Sequence, residues 1–465
     1  MNNQPATTTN QTMKQGDLVT LKITDLNTDG EGVGRVNTTV VFVPDTVPGD
    51  CIQVRITQVR ANYVKAVLQN ILVPSGHRIR PRCIVADKCG GCQWQHIEEN
   101  YQREAKRKQV EQALQRIGGF TELDIEPILC TSNSLHYRNK ATYPLKLSNT
   151  GKVQAGYYRK GSHKIINLNQ CPVQDERLNP LLKEVKQDIH HQGWSIYDET
   201  THQWQLRHLS LRIGTHTGEM LLTLISTDDK LPNLEKQAQA WLDKYPKLVG
   251  VCLNINSDRS NVVFGNTTQT IVGKPDIKEI FAGIELRILS DTFFQVNTVA
   301  AEMLLNLIIQ QLNLQGDEVL VDAYCGIGTF TLPLAKLVKQ AIGIESLASS
   351  VNQAKQNAKI NQITNVEFIL GKVANSLQEL SVKPNIVILD PPRKGCNPQV
   401  IETLLEMQPS KIAYISCKPA TLARDVKILV NSGIYHLNFV RSADFFPQTT
   451  HIESVAILER KLLFN

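Results

Sequence analysis

Apolar and polar positions change rhythm along the chain. In "CIQVRITQVR", Ile52, Val54 and Ile56 alternate with Gln53, Arg55 and Thr57, the period of two that a half-buried strand requires. Gly30, Gly32 and Gly34 interrupt "DGEGVGRV", and Pro48-Gly49 marks a turn, so residues 15–72 read as the short strands of a small closed barrel. Its outward face carries Arg55, Arg60 and Lys65, a candidate nucleic-acid footprint. Further on, Val110, Ala113, Leu114 and Ile117 recur at helical spacing and Gly118-Gly119 ends the run, which predicts a helix over 101–119 that packs on the C-terminal domain. Arg103, Lys106, Arg107 and Lys108 crowd the start of that helix. Cations there oppose the macrodipole, and phosphate binding is the reading that explains them.

Residues 73–290 form a central region that is mixed and mostly strand-like, without a clear period. Tyr137, Arg138, Lys140, Tyr157, Tyr158, Arg159 and Lys160 interleave aromatic and basic side chains there, a combination suited to stacking and holding RNA. From 291 to 465 strands and helices alternate: "EVLVDAY", the turn "CGIGT", the helix "FTLPLAKLVKQ", then "AIGIE", "NVEFIL", "NIVILD" and "KIAYIS" with helices between. That pattern is a doubly wound α/β domain.

Composition sets the outer bounds. At 465 residues the chain exceeds one ordinary core, so two to four domains are expected. It is 42% apolar and 20% charged, as soluble globular proteins are, and no apolar run approaches the roughly 18 residues of a membrane span. The polar, Thr- and Asn-rich residues 1–14 read as a disordered tail without the apolar core of a secretory leader. A net charge of +6 (50 Lys and Arg against 44 Asp and Glu) is compatible with nucleic acid without requiring it. Ten cysteines without a leader point to the reducing cytoplasm, where clustered thiols serve as ligands or nucleophiles.

Cys83, Cys89 and Cys92 stand within ten residues in "RCIVADKCGGCQWQH", with Cys171 far downstream in "NQCPV". Three close thiols and a remote fourth suit structural zinc or an iron–sulfur cluster, and spacing alone does not choose. His96 is then a spare, because four thiols already close such a site.

In open α/β sheets the ligand sits beyond the carboxyl ends of the strands. Those ends carry Asp322 with Gly326 and Gly328, then Glu345, Asp390 and Cys417. The turn "DAYCGIG" is not the dinucleotide fingerprint, and no Walker lysine follows it. A glycine turn with an acid about 20 residues on fits a nucleoside whose ribose bonds to a carboxylate, a role open to Glu345. That much does not separate a dinucleotide from S-adenosylmethionine. "ILDPPRKG" resembles the D-P-P loop with which adenosylmethionine enzymes hold a planar base beside the methyl donor, and its two prolines stiffen the chain after Asp390. Cys417 ends a buried strand ahead of a helix, where a thiol pKa drops below about 8.5. Cys325 reads as a small packing residue of the cofactor loop, and Cys396, after "RKG", has no evident partner.

Taken in order, "DTFFQVN", "VDAYCGIGTF", "LDPPRKG", "ISCKPATLARD" and "FPQTTHIES" resemble the RNA 5-methyluridine methyltransferases over nearly the whole chain. The resemblance implies a multidomain α/β protein. Its parts would be an oligonucleotide-binding-type TRAM barrel, a mostly-β central domain with a [4Fe-4S] cluster on Cys83, Cys89, Cys92 and Cys171, and a C-terminal Rossmann-like domain using S-adenosylmethionine. It implies Cys417 as nucleophile and Glu453 as base; His451 is a weaker candidate for the base, with a structural or orienting role equally open. It implies cofactor contacts from Gln295, Tyr324, Gly326, Gly328, Thr329, Glu345 and Asp390. The substrate implied is RNA, with 23S ribosomal RNA favoured over tRNA, and neither a membrane nor an obligate protein partner is called for. Two departures stand out: Lys418 follows the nucleophile where the family has Asn, and Lys372 replaces a residue near the adenine, so that contact is not carried over. The competing readings are a base N-methyltransferase, which needs no thiol, and an RNA-binding protein with a redox cluster and an inactive methyltransferase fold.

Overall fold

The computed structural model describes residues 13–461, so the tail read over 1–14 lies almost wholly outside the described residues. Strands β1 (Leu18–Leu26), β2 (Gly32–Val36), β3 (Thr39–Val43), β4 (Cys51–Val59) and β5 (Tyr63–Val73) close a barrel in the order β1-β2-β3-β5-β4. The alternation in β4 is the reason: Ile52, Val54 and Ile56 are at most 1% exposed, while Arg55 points out. Each such burial contributes roughly 1.5–3 kcal/mol. A Cβ on Gly34 would meet the Leu21 side chain at 2.3 Å and the Lys22 carbonyl at 2.7 Å, so glycine here lets two strands approach. Arg55 donates to the Gly16 carbonyl and Lys65 pairs with Glu31 at 3.5 Å, so part of the expected footprint is engaged within the barrel. Trp94 is fully buried with Val47 and Ile97 in a second cluster of the same unit.

Helix α1 (Glu99–Ala113) runs into a π-helical turn, Leu114–Gly118. Val110 and Leu114 are fully buried in one core with Val321 and Leu422 of the C-terminal domain. Lys106, read as a phosphate ligand, is instead buried: its Nζ donates to Asp444 at 2.6 Å and to the Phe446 carbonyl at 3.0 Å. Arg103 and Arg107 pair along the helix with Glu99 and Glu111. Removing one partner of a buried pair strands the other charge. Lys106→Ala is therefore expected to cost about 3–5 kcal/mol, read as a lower denaturant midpoint.

The central region is a seven-stranded sheet made of β6 (Lys140–Leu147), β7 (Val153–Tyr158), β8 (Ile165–Asn167), β9 (Leu206–Ile213), β10 (Met220–Ser226), β11 (Leu248–Ile255) and β12 (Thr267–Gly273). Their order is β12-β11-β10-β9-β6-β7-β8. Only β10 and β11 are parallel, and helix α3 (Leu234–Lys244) makes the crossover that a parallel pair needs. Helix α2 (Asn179–His191) packs on β7. Every residue of β10 is buried, which erases the alternation a sequence reading relies on.

Strands β13 (Asp276–Phe281) and β14 (Ile284–Leu289) form a hairpin whose Ile277, Phe281, Leu286 and Ile288 join the C-terminal core. That domain runs α4 (Thr298–Leu312), β15 (Val319–Asp322), α5 (Thr331–Ala335), β16 (Gln340–Glu345), α6 (Ala348–Ile360), β17 (Val366–Leu370), α7 (Val373–Ser376), β18 (Ile386–Leu389), α8 (Pro398–Met407), β19 (Lys411–Ser416), α9 (Pro419–Asn431), β20 (Tyr435–Ala443) and β21 (Glu453–Arg460). The sheet order is β17-β16-β15-β18-β19-β21-β20, with β21 antiparallel to its neighbours. The helix expected over "FTLPLAKLVKQ" is shorter than read, because the chain turns after Ala335 to enter β16 at Gln340. No helix among the described residues is long and apolar enough to cross a membrane.

Candidate active site

Strand order reverses between β15 and β18, and the site lies at the carboxyl ends flanking that point. Asp322 ends β15, 2% exposed, and accepts a 2.6 Å hydrogen bond from Thr331 Oγ1. Burial pushes its carboxyl up to about 6. Gly326 and Gly328 in the following turn have φ of +55° and +85°, the left-handed region that other residues avoid. Gly326 N–H donates to Glu345 Oε2 at 3.2 Å, and Glu345 Oε1 accepts from Ser346 and Leu347 N–H. The Glu345 carboxylate is thus fixed at the tip of β16. Leu347 and Leu370, 60% and 55% exposed, present apolar side chains at this end of the sheet. Sequence reasoning passed over both, although apolar residues at strand ends were the available signal. Thr329 lies in the turn two residues ahead of α5, which begins at Thr331.

Gln295 lies in a segment that the central sheet holds by its main chain. Asn139 Nδ2 donates to the Gln295 carbonyl at 2.9 Å, Arg212 Nη2 to Thr292 O at 2.6 Å, and Lys140 Nζ to Ser290 O at 3.0 Å. Lys140 is therefore no RNA contact: burial, with Arg212 and Arg138 beside it, brings its pKa down to about 6. Tyr137 likewise donates its hydroxyl to Pro447 O at 3.1 Å. An inward cation and an outward one look alike in sequence. Phe293, two residues before Gln295, is 68% exposed.

The residues that the sequence suggests as nucleophile and base are brought near one another by strand register. Antiparallel β19 and β21 pair Ser416 with Ser454; Cys417 and Glu453 are the next residues beyond that pair, near enough for the carboxyl to act on the thiol. Asp390 directly follows β18, the other neighbour of β19. Glu453 is 8% exposed; burial first, then Asp390, drives its pKa well above the usual carboxylate range, opposed by Arg393. Burial and Asp322 raise Asp390 to about 7. The lowered thiol pKa expected at Cys417 is reversed: burial, then Glu453 and Asp390, push it up, with Arg393 opposing. Helix α9 begins only at Pro419. Lys418 is exposed to solvent.

Arg393, which the sequence reading did not single out, is the cation of this group. Its Nη2 donates to His451 Nδ1 at 3.0 Å. Burial, with Arg393 and then Lys106 and Arg138, lowers the His451 pKa, which favours the neutral ring as acceptor of that bond. Cys396 does have partners: its N–H donates to Asp425 Oδ2 at 3.0 Å, Tyr414 donates its hydroxyl to the same oxygen at 2.6 Å, and Arg424 Nη2 binds the Lys394 carbonyl at 3.1 Å. The proline loop is pinned to α9 from behind. Cys325 is a buried packing residue, 4% exposed.

None of the ten cysteines forms a disulfide. Cys89 and Cys171, 8% and 7% exposed, both act on the Tyr157 hydroxyl, and Gly91 N–H donates to Cys89 Sγ at 3.4 Å. Cys83 N–H donates to Gln95 Oε1 and His96 faces the Thr46 carbonyl. Among the described residues no three His, Cys, Asp or Glu side chains gather to hold a metal ion. Thiol chemistry and burial at Cys89 and Cys171 fit a cluster.

This strand order, with its glycine turn and fixed carboxylate, suits a nucleoside cofactor such as S-adenosylmethionine, and the sequence relatives show which class of enzyme it is. The sequence profile of tRNA (Uracil-5-)-methyltransferases matches residues 98–461, and that of the TRAM domain residues 13–68. An RNA methyltransferase of Nostoc sp. is 59% identical over 450 residues, 97% of this chain and 98% of that protein. One of Listeria monocytogenes is 37% identical over 449 residues, 96% and 98% of the two chains. The crystal structure of Pyrococcus abyssi tRNA (uracil-54, C5)-methyltransferase with S-adenosyl-L-homocysteine matches with a TM-score of 0.77 at 28% identity, over 95% of this chain and 100% of that one. The chain belongs to the RNA uracil-C5 methyltransferase family and is an S-adenosylmethionine-dependent enzyme that methylates carbon 5 of uracil in RNA.

Proposed function

We propose that methylation proceeds through a covalent adduct of Cys417 with carbon 6 of the target uracil, and that Glu453 removes the carbon-5 proton. S-adenosylmethionine, when bound, supplies an electrophilic methyl group. Carbon 5 of uracil is a poor nucleophile. Addition of the Cys417 thiolate at carbon 6 makes the ring an enolate, whose carbon 5 then takes the methyl. Loss of the carbon-5 proton to Glu453 re-forms the double bond and expels the thiolate. The observation that supports this reading is the β19–β21 register, whose last pair, Ser416 with Ser454, leaves Cys417 and Glu453 next along the two adjacent strands, with Asp390 on the neighbouring strand end. Asp390 would hydrogen-bond the uracil or the cofactor beside the methyl donor. Glu345 takes the ribose, while Gln295, Tyr324, Gly326, Gly328 and Thr329 line the cofactor. The reading is tested with RNA tritiated at carbon 5: one tritium released to water per methyl incorporated is expected, and methylation without release contradicts it.

The pH dependence follows from the sign of the shifts. A base whose pKa is raised by burial is ionised only above that raised value. With Glu453 well above its ordinary range and Asp390 at about 7, the acidic limb of kcat/KM is expected far above the usual carboxylate value of about 4. A profile flat down to pH 5 contradicts this.

The RNA proposed is 23S ribosomal RNA, encountered in the cytoplasm, where thiols stay reduced. Support comes from the TRAM barrel together with the four thiols, which the resemblance associates with the ribosomal enzymes. Methylation of tRNA is the second reading, supported by the similarity to the Pyrococcus abyssi tRNA enzyme; side-by-side methylation of the two RNAs separates them. Cys83, Cys89, Cys92 and Cys171 are proposed to hold a [4Fe-4S] cluster, which would staple the central domain without entering the chemistry. An all-thiol donor set and the N–H···S bond at Cys89 support it. Anaerobic purification should yield about four irons and four sulfides per chain; stoichiometric zinc without sulfide contradicts the cluster.

A further inference from the structure

We propose that a pocket beside the β7–β8 hairpin, none of whose lining residues belongs to the methyl-transfer centre, holds one nucleotide of single-stranded RNA. Its base would lie on Tyr158 and His163 and its phosphate on Arg159. The inference rests on the reading that the substrate is RNA.

The cavity measures about 530 Å³, within the range of small-ligand sites. One wall is the thiol loop, zipped to the hairpin as an extra edge: Gly90 N–H donates to Tyr158 O and Lys160 N–H to Lys88 O, each at 2.9 Å. A Cβ on Gly90 would stand 3.1 Å from that Tyr158 oxygen, so glycine keeps the wall tight against the hairpin. The opposite wall is aromatic. The rings of Tyr158 and His163 lie 5.1 Å apart at 45°, and their polar ends converge on one carboxylate, Tyr158 Oη at 2.8 Å and His163 Nδ1 at 3.3 Å from Glu199. That carboxylate tethers both rings by their edges and leaves the hydrogen bonds off their faces. Arg159 is exposed at the rim, and its guanidinium makes no hydrogen bond or ion pair among the described residues. Ring faces beside an unengaged planar cation are how single-stranded nucleic acid is held: the aromatics stack a base and the guanidinium takes a phosphate.

The test uses the full-length enzyme and whichever RNA, ribosomal or transfer, the wild type methylates. Arg159→Glu is expected to raise the Kd for RNA at least about fivefold and to lower the slope of log Kd against log salt by about one. Arg159→Lys should restore both nearly to wild type, and Tyr158→Ala should weaken binding by a similar factor. The single-turnover rate at saturating RNA and the affinity for S-adenosylmethionine should not change. An unaltered Kd and salt slope in Arg159→Glu overturns the proposal, as does a slower saturating rate with Kd intact. If the wild type releases tritium from no RNA, the underlying reading fails and this inference with it; release by wild type and Arg159→Glu with equal Kd removes the pocket alone.

Discussion

Replacing Cys417 by Ala is expected to abolish methyl transfer, with a fall in single-turnover rate of at least about 10⁴-fold. The affinity for S-adenosylmethionine is expected to stay within about twofold, because the thiol is assigned to the uracil and the residues proposed for the cofactor are Gln295, the turn after β15 and Glu345 at the end of β16. The size of the loss follows from the chemistry: without addition at carbon 6 the ring has no enolate, and no other group supplies one. Cys325 and Cys396 cannot substitute. Both are buried, with pKa values raised by that burial, and Cys396 is tied to Asp425. An N-methyltransferase on the same fold would keep most of its activity in this variant.

Replacing Glu453 by Gln stops the reaction one step later. Addition and methyl transfer proceed, but an amide cannot take the carbon-5 proton, so the thiolate is not expelled. Turnover is expected to fall about 10²–10⁴-fold, and a methylated RNA–protein adduct that survives denaturing electrophoresis should accumulate. The fold is not at risk. Burial raises the Glu453 pKa, so the folded protein binds that proton more tightly than the unfolded chain. Stability then falls as pH climbs from the ordinary carboxylate range of about 4 through the raised value. Gln removes that loss, and the variant should be at least as stable as wild type at pH 8 by thermal unfolding. A Gln variant that turns over normally would move the base elsewhere, and His451 would be tested next.

The C-terminal domain was legible because its strands are short apolar runs whose carboxyl ends carry the chemistry, so Asp322, Glu345, Asp390 and Cys417 could be read off in order. The barrel was legible from the period of two in β4. The central sheet was not, because β9 and β10 are buried on both faces and carry no alternation. Charges were misread wherever tertiary partners decide their meaning: Lys106 faces Asp444 and Lys140 faces the Ser290 carbonyl, and neither partner is near in sequence. The thiol pKa went the same way. A helix start is local and visible, whereas the approach of Glu453 from β21 depends on an antiparallel pairing that the strand-helix alternation does not announce. Arg393 was hidden in the D-P-P loop, because only the fold shows it facing Cys417, Glu453 and His451.

The most direct test of the covalent reading is a trap with S-adenosylmethionine and RNA bearing 5-fluorouridine, followed by denaturing mass spectrometry. Fluorine cannot leave as a proton, so the methylated adduct should persist and map to Cys417. Methyl transferred to the RNA with no adduct, or an adduct on any other cysteine, would contradict it.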